Sequence, residues 1–198
     1  MKLSNKILLD IVNNLILPDK DFQKALKLTK ANSSGKIWLI GGFLYKNLAH
    51  SLYGSRKSTK DFDLIVEYPN DKIILPDDWK ITKNHFNNNK LISNQMQIDF
   101  IPLTDLALPK NPYSYEKNPI PSINHFLESG GLNIHCIAYD IFDKKIIGDV
   151  GIKALEEKII SAYNLEMLEY GAKKYDKTPN DIIKKKAEEL GFEYKLVD

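Results

Sequence analysis

An α/β fold is predicted for this chain of 198 residues: a mixed, strongly twisted sheet flanked by helices, followed by a C-terminal helical appendage. Three stretches predict it. Residues 37–40 (Ile-Trp-Leu-Ile) are an apolar, β-rich run leading at once into Gly41-Gly42 and then into a segment of helical spacing, with Phe43, Leu44, Leu48 and Leu52 apolar. Residues 60–67 read as a strand that carries Asp61 and Asp63. Residues 96–103 alternate, with Ile98 and Phe100 on one side and Asp99 on the other.

Taken in order, Ser4 caps a first helix whose apolar residues Ile7, Leu8, Ile11, Val12 and Leu15 follow the helical period, and Pro18 ends it. Asp19 or Asp21 starts a second helix that runs to about Lys30. Asn32-Ser33-Ser34-Gly35 is a loop feeding the first strand. After the Gly-Gly turn, its helix and the Asp-x-Asp strand, Tyr68-Pro69-Asn70-Asp71 is a turn. Residues 79–86 then read as a strand, Asn87-Asn88-Asn89 as a tight turn and residues 90–93 as the return. This meander supplies edge strands that bring Asp99 beside the Asp-x-Asp strand. Residues 109–121 hold four prolines and two tyrosines and read as an ordered surface loop or lid. Ser122 caps a short helix to Glu128, which Gly130-Gly131 ends. Residues 132–140 read as a strand. Beyond Asp149 the chain turns helical, with Ile152, Leu155, Ile159 and Ile160 on one face, and Thr178-Pro179-Asn180-Asp181 starts a last helix that ends near Gly191. Two domains are expected, 1–150 and 151–198.

Composition bounds the function. The chain is 43% hydrophobic and 27% charged, an ordinary globular balance, and its formal net charge of +2 is too mild to indicate nucleic acid by itself. Arg56 is the only arginine, so phosphate contacts must come largely from lysine or backbone N–H groups. The single cysteine, Cys136, allows no internal disulfide and points to a reducing, cytoplasmic compartment. No signal peptide is read, and the apolar stretch 3–17 is interrupted by Asp10, Asn13 and Asn14 and too short to span a bilayer.

Asp61 and Asp63 share a strand face, roughly 6.6 Å apart along the backbone, and Asp99 lies in an otherwise apolar strand end. Like charges about 4 Å apart repel by roughly 4 kcal/mol at an effective dielectric near 20. A cation relieves this, and oxygen-only ligands favour Mg²⁺ or Mn²⁺. Glycines directly after a strand permit a tight turn and present bare N–H groups at a helix start, where anions bind. Arg56 and Lys60 lie near the Asp-x-Asp strand in sequence and read as further phosphate contacts, each against the simpler reading of a solvated side chain.

Strand, Gly-Gly, short helix, Asp-x-Asp before an apolar pair, then a strand with one Asp: in this order the chain resembles the head of the DNA polymerase beta superfamily of nucleotidyltransferases. Within it, the closer resemblance is to the tRNA nucleotidyltransferase/poly(A) polymerase family. A second patch, Ala138-Tyr139-Asp140 followed by Gly148-Asp149 and a helix opened by Gly151, resembles the family's segment after the third carboxylate. The resemblance covers about residues 36–162. It implies nucleotidyl transfer from an NTP to an acceptor hydroxyl, most simply on RNA as in tRNA processing. Asp61, Asp63 and Asp99 would be catalytic and hold Mg²⁺ or Mn²⁺, and Gly41 and Gly42 would contact the triphosphate. Tyr45-Lys46 stands where the family has Arg-Asp, which makes Lys46 a substitute phosphate contact. Ser129-Gly130-Gly131 stands where it has Arg-Arg-Asp. The family's helical neck, body and tail, which select CTP and ATP and hold tRNA, are expected to be missing.

Two other classes remain open: a nucleotide- or RNA-binding relative that does no chemistry, and a toxin- or antibiotic-type transferase acting on a protein, tRNA or drug hydroxyl. His135-Cys136 has no second cysteine or spaced ligand set and reads as a buried strand pair rather than zinc. Lys173, Lys174, Lys177, Lys184, Lys185 and Lys186 read as a solvated helix face or an RNA-backbone patch. Asp140 and Asp149 read as turn or cap residues, with a place beside nucleotide as the sharper alternative.

Overall fold

The computed structural model describes residues 2–55, 60–84, 86–105 and 122–197. Two compact units divide the chain, one of Met1–Asp105 with Ala138–Ile147 and one of Leu106–Ile137 with Gly148–Asp198. The chain therefore enters the second unit, returns for one strand pair and leaves again, where a single crossing after residue 150 was expected.

The first unit opens with α1 (Asn5–Ile11), whose N-cap Ser4 accepts from Ile7 N–H at 3.4 Å. A π-helical turn, Val12–Ile16, follows, closed by Leu17 N–H on the Val12 carbonyl at 2.9 Å. Helical periodicity alone does not distinguish such a turn from an α-helix. Asp19 caps α2 (Lys20–Ala31), accepting from Asp21 and Phe22 N–H. The first strand, β1 (Ser33–Ile40), starts earlier than its apolar run because it bulges between Ser34 and Ile37. The glycines belong to the first turn of α3 (Gly41–Tyr53) rather than preceding it.

Strands β2 (Asp61–Pro69), β3 (Lys80–Lys83), β4 (Asn89–Ile92), β5 (Gln97–Pro102), β6 (Ala138–Asp140) and β7 (Lys145–Ile147) complete a seven-stranded sheet. Its order is β3-β4-β5-β2-β1-β6-β7. β2 and β5 run parallel and the other neighbours antiparallel, so the sheet is mixed. Alternation along β2 buries Phe62 and Leu64 completely. Phe62 packs with Phe22 of α2 and Phe43 of α3, at ring-centroid distances of 5.8 and 4.6 Å. Burying one such ring is worth about 1.5–3 kcal/mol, so this cluster clamps both helices to one side of β2 and leaves Asp61 and Asp63 on the other.

The second unit contains α4 (Ile123–Glu128), a 3-10 turn Asn133–His135, α5 (Asp149–Glu157), β8 (Ile159–Ser161), α6 (Leu165–Lys174), α7 (Pro179–Leu190) and β9 (Glu193–Lys195). β8 and β9 pair in parallel, joined by α6 and α7. Asn133 ties the 3-10 turn to β8, donating to the Ile159 carbonyl at 2.8 Å and accepting from Ser161 N–H at 3.1 Å. The expected strand 132–140 is thus a 3-10 turn followed by the short β6, and Ile159 and Ile160 are strand rather than helix. Arg56, His85 and the proline-rich stretch 109–121 lie outside the described residues. Among the described residues no helix is long and apolar enough to cross a membrane.

Candidate metal and nucleotide site

Strand register assembles the site. Asp63 and Asp99 are direct partners across the parallel pair β2–β5, which puts both carboxylates on one sheet face, with Asp61 two residues along. Lys90 is the partner of Asp99 across β4–β5 and joins that face from the other side. Ile40, the last residue of β1, is the partner of Asp63, so the chain turns into α3 directly beside it.

That turn dictates a glycine. Gly41 has φ +69°, and a Cβ there would stand 1.8 Å from Asp63 Oδ2. Both the left-handed backbone and the missing side chain are needed. Gly42 is different, because a Cβ on it would meet nothing closer than Lys46 Cε at 3.7 Å. Its N–H group donates to the Asp63 carboxylate.

Each acid has its own restraint. Burial and then the charges of Asp99 and Asp61 push Asp63 from 3.8 up to about 8, opposed by Lys90 and by the Gly42 N–H. Burial also raises Asp61, which Lys90 and Lys46 oppose and Asp99 reinforces. Asp99 accepts from Asn84 Nδ2 at 3.2 Å. Asn84 Oδ1 accepts from Phe86 and Asn88 N–H at 2.9 and 3.0 Å, which fixes the amide with its NH₂ toward Asp99. Lys90 Nζ lies 3.8 Å from Asp61 Oδ1 and 3.7 Å from Asp99 Oδ1. Those two oxygens are buried and without a hydrogen-bond partner.

Among the described residues no three His, Cys, Asp or Glu side chains are gathered into a ready-made metal cage. The expected convergence of three carboxylates on one small volume is therefore not preassembled. Three uncompensated acids repel one another, and Lys90 supplies the counter-charge instead. The donor set still suits a hard divalent cation: all ligand atoms are oxygens, and two of them are buried and unpartnered.

Of the residues singled out in the sequence, the fold brings together Asp61, Asp63, Asp99, Gly41, Gly42 and Lys46. Lys60 is directed elsewhere, to an ion pair with Asp21 of α2 at 2.5 Å. Asn84 and Lys90 escaped sequence reasoning. Their place depends on cross-strand register, and only the turn at 87–89 hinted that Lys90 faces Asp99. Asp140 accepts from Trp38 Nε1 at 3.0 Å and from Phe142 and Asp143 N–H, so it holds the β6–β7 turn. Asp149 stands in the first turn of α5. Burial pushes His135 down to about 3 and the Cys136 thiol up to about 12, so both are neutral near pH 7 and Cys136 is not the thiolate that binds metal. Residues 148–198 hold nine lysines against eleven acids, and of the C-terminal lysines Lys186 is paired with Glu189 at 2.7 Å.

No protein-family model matches the chain, and no curated protein sequence does. Solved structures do. A CCA-adding enzyme in complex with ATP superposes with a TM-score of 0.59 at 16% identity, over 94% of this chain and 41% of that one. A tRNA-processing enzyme in an apo form gives 0.56 at 14% identity, over 91% and 45%. The Thermotoga maritima CCA-adding enzyme complexed with tRNA gives 0.52 at 15%, over 86% and 38%. The chain thus spans about two fifths of these proteins, and a match over 94% of it reaches well beyond residue 150 into the C-terminal helices. At such identities the likeness speaks for architecture, and the architecture is the nucleotidyltransferase fold seen in the CCA-adding enzymes.

Proposed function

We propose that this chain is a metal-dependent nucleotidyltransferase that moves a nucleoside monophosphate from an NTP to an acceptor hydroxyl on RNA, with release of pyrophosphate. One observation carries the reading: Asp61, Asp63 and Asp99 share a face of adjacent strands beside the N-terminus of α3, with buried, unpartnered oxygens on two of them. The fold supports it, and so do the ATP and tRNA named with the neighbouring structures, taken as pointers to substrate and acceptor.

Asp61, Asp63 and Asp99 would hold Mg²⁺ or Mn²⁺, which when bound neutralises triphosphate charge and makes the attacking hydroxyl more acidic. Asp99 would also take the hydroxyl proton, although its chief value is electrostatic and positional. The acceptor oxygen bonds to the α-phosphorus as the bond to the bridging oxygen of pyrophosphate breaks. Little covalent work falls to the protein, whose contribution is position and charge. The N-terminal turn of α3 faces the triphosphate with its backbone N–H groups, and Lys46 adds a positive charge to the same side. Because Gly42 N–H is engaged by Asp63, the remaining N–H groups of that turn carry the anion contact.

Incubation with each labelled NTP, Mg²⁺ and total RNA, read on a gel, tests this. Labelled RNA is expected from the wild type and none from Asp61→Asn/Asp63→Asn. Failure to label RNA, together with no calorimetric NTP binding at millimolar concentration, would overturn it. A second reading, a binding relative without chemistry, is favoured by one feature: Lys90 already places a positive charge between Asp61 and Asp99. Binding without labelling would select it.

A further inference from the structure

Lys90 belongs to no motif, yet its ammonium lies within 4 Å of two of the three carboxylates. Its side chain is 20% exposed, and its ammonium lies at nearly equal distances from Asp61 Oδ1 and Asp99 Oδ1, 3.8 and 3.7 Å. These are the two carboxylate oxygens that are buried without a hydrogen-bond partner. The separations exceed a hydrogen bond, so charge alone holds the ammonium there. A divalent cation shared by Asp61 and Asp99 would be drawn to the same two buried, unpartnered oxygens. A cation entering there repels the ammonium at this range, so the two compete for those oxygens.

We propose that Lys90 is a built-in competitor for the divalent cation. It neutralises the carboxylates while no metal is bound, is displaced when metal enters, and then takes a phosphate of the nucleotide as its counter-ion. Lysine suits such a transfer, since its ammonium is a point charge on a flexible four-carbon stem rather than a fixed fork. Two consequences follow. Metal alone binds weakly. Metal and nucleotide bind cooperatively, because the triphosphate supplies the negative charge that a displaced Lys90 requires. This inference rests on the metal-dependent reading of the site.

The test is calorimetric titration of Mg²⁺, with Mn²⁺ as a second probe, into the full chain, with and without a non-hydrolysable ATP analogue. Wild type, Lys90→Met and Lys90→Arg are compared. Without nucleotide, Lys90→Met should bind Mg²⁺ about tenfold tighter or more, because the competing charge is gone. The analogue should tighten Mg²⁺ binding in the wild type and much less in Lys90→Met. Lys90→Arg, which keeps the charge, should stay near the wild type. Lys90→Gln replaces Lys90→Met if circular dichroism shows the latter unfolded. Equal or weaker Mg²⁺ binding by the neutral variants overturns the role given to Lys90 while leaving the metal site standing. Absence of divalent binding in every protein removes the metal-dependent reading itself, and this inference with it.

Discussion

Asp63 sits between the Gly42 N–H and the space that Gly41 leaves open, and the two glycines answer differently to substitution. Gly41→Ala would drive a methyl into Asp63 Oδ2 and strain a residue at φ +69°. We expect a loss of about 1–3 kcal/mol in urea unfolding, with metal and nucleotide binding lost together. Gly42→Ala meets ordinary contacts and should change stability by under about 1 kcal/mol. Equal effects would refute the assignment of Gly41 as the constrained position. At this scale the positions of Asp61, Asp63, Asp99 and the glycine pair were legible, because strand alternation and a strand-to-helix turn are local patterns. Which glycine is constrained was not, since that depends on a backbone angle and on Asp63, a residue from another strand. Lys60 misled for the same reason: nearness in sequence to Asp61 says nothing about Asp21 across the fold.

The β3–β4 hairpin is the element on which the site depends most. It carries Asn84, which orients Asp99, and Lys90, which faces it. Asn84→Ala removes the partner of Asp99 and the acceptor for two turn N–H groups, so a loss of about 1–3 kcal/mol is expected in chemical denaturation. Retention of full stability would show that the hairpin turn holds without it. In the second unit, Thr178 and Asp181 form a reciprocal cap on α7, with Thr178 Oγ1 accepting from Asp181 N–H at 3.1 Å. Thr178→Ala should cost about 1 kcal/mol, checked by thermal melting. The caps at Ser4 and Thr178 were readable because cap chemistry is local, while the start of α2 was open between Asp19 and Asp21 until the structure gave Asp19. The three-residue strands β8 and β9 were not, because so few residues have no period to detect, and their pairing joins Ile159 to Glu193 across two helices.

For the molecule as a whole, the two units should respond to pH in opposite directions. Asp63 is raised from 3.8 to about 8 in the folded first unit. Its contribution to stability is complete below about pH 4 and is lost as pH rises toward 8, because the folded state binds the proton more tightly. Mg²⁺ should flatten that decline by favouring the ionised carboxylate. His135 is lowered from 6.5 to about 3 in the second unit. Its contribution is complete above pH 6.5 and is lost as pH falls, because burial keeps the ring neutral. Trp38 and Trp79, the two tryptophans, both lie in the first unit, so fluorescence follows that unit while circular dichroism follows both. Melting from pH 4 to 8 should show the fluorescence midpoint falling with pH unless Mg²⁺ is present. A fluorescence midpoint that rises instead would contradict the assignment to Asp63. The mixed sheet and the order of its strands around Asp99 were legible from the pattern of turns. The place of residues 122–137 in the second unit was not, because no local signal marks which unit a short helix or turn joins.

The return of residues 138–147 to the first unit has a consequence for the growing chain on the ribosome. One edge of β1 pairs with β2, which is made soon after it, but the other pairs with β6, and Trp38 and Asp140 are separated by 102 residues. At about 5–20 residues per second, the apolar stretch around Leu39 waits roughly 5–20 s with one side unpaired. Unpaired strand edges template association with other chains. The interval before Tyr139 emerges is therefore when this protein is most exposed to aggregation and most in need of a chaperone, and a transcript ending before that codon would release its product with the edge of β1 still open.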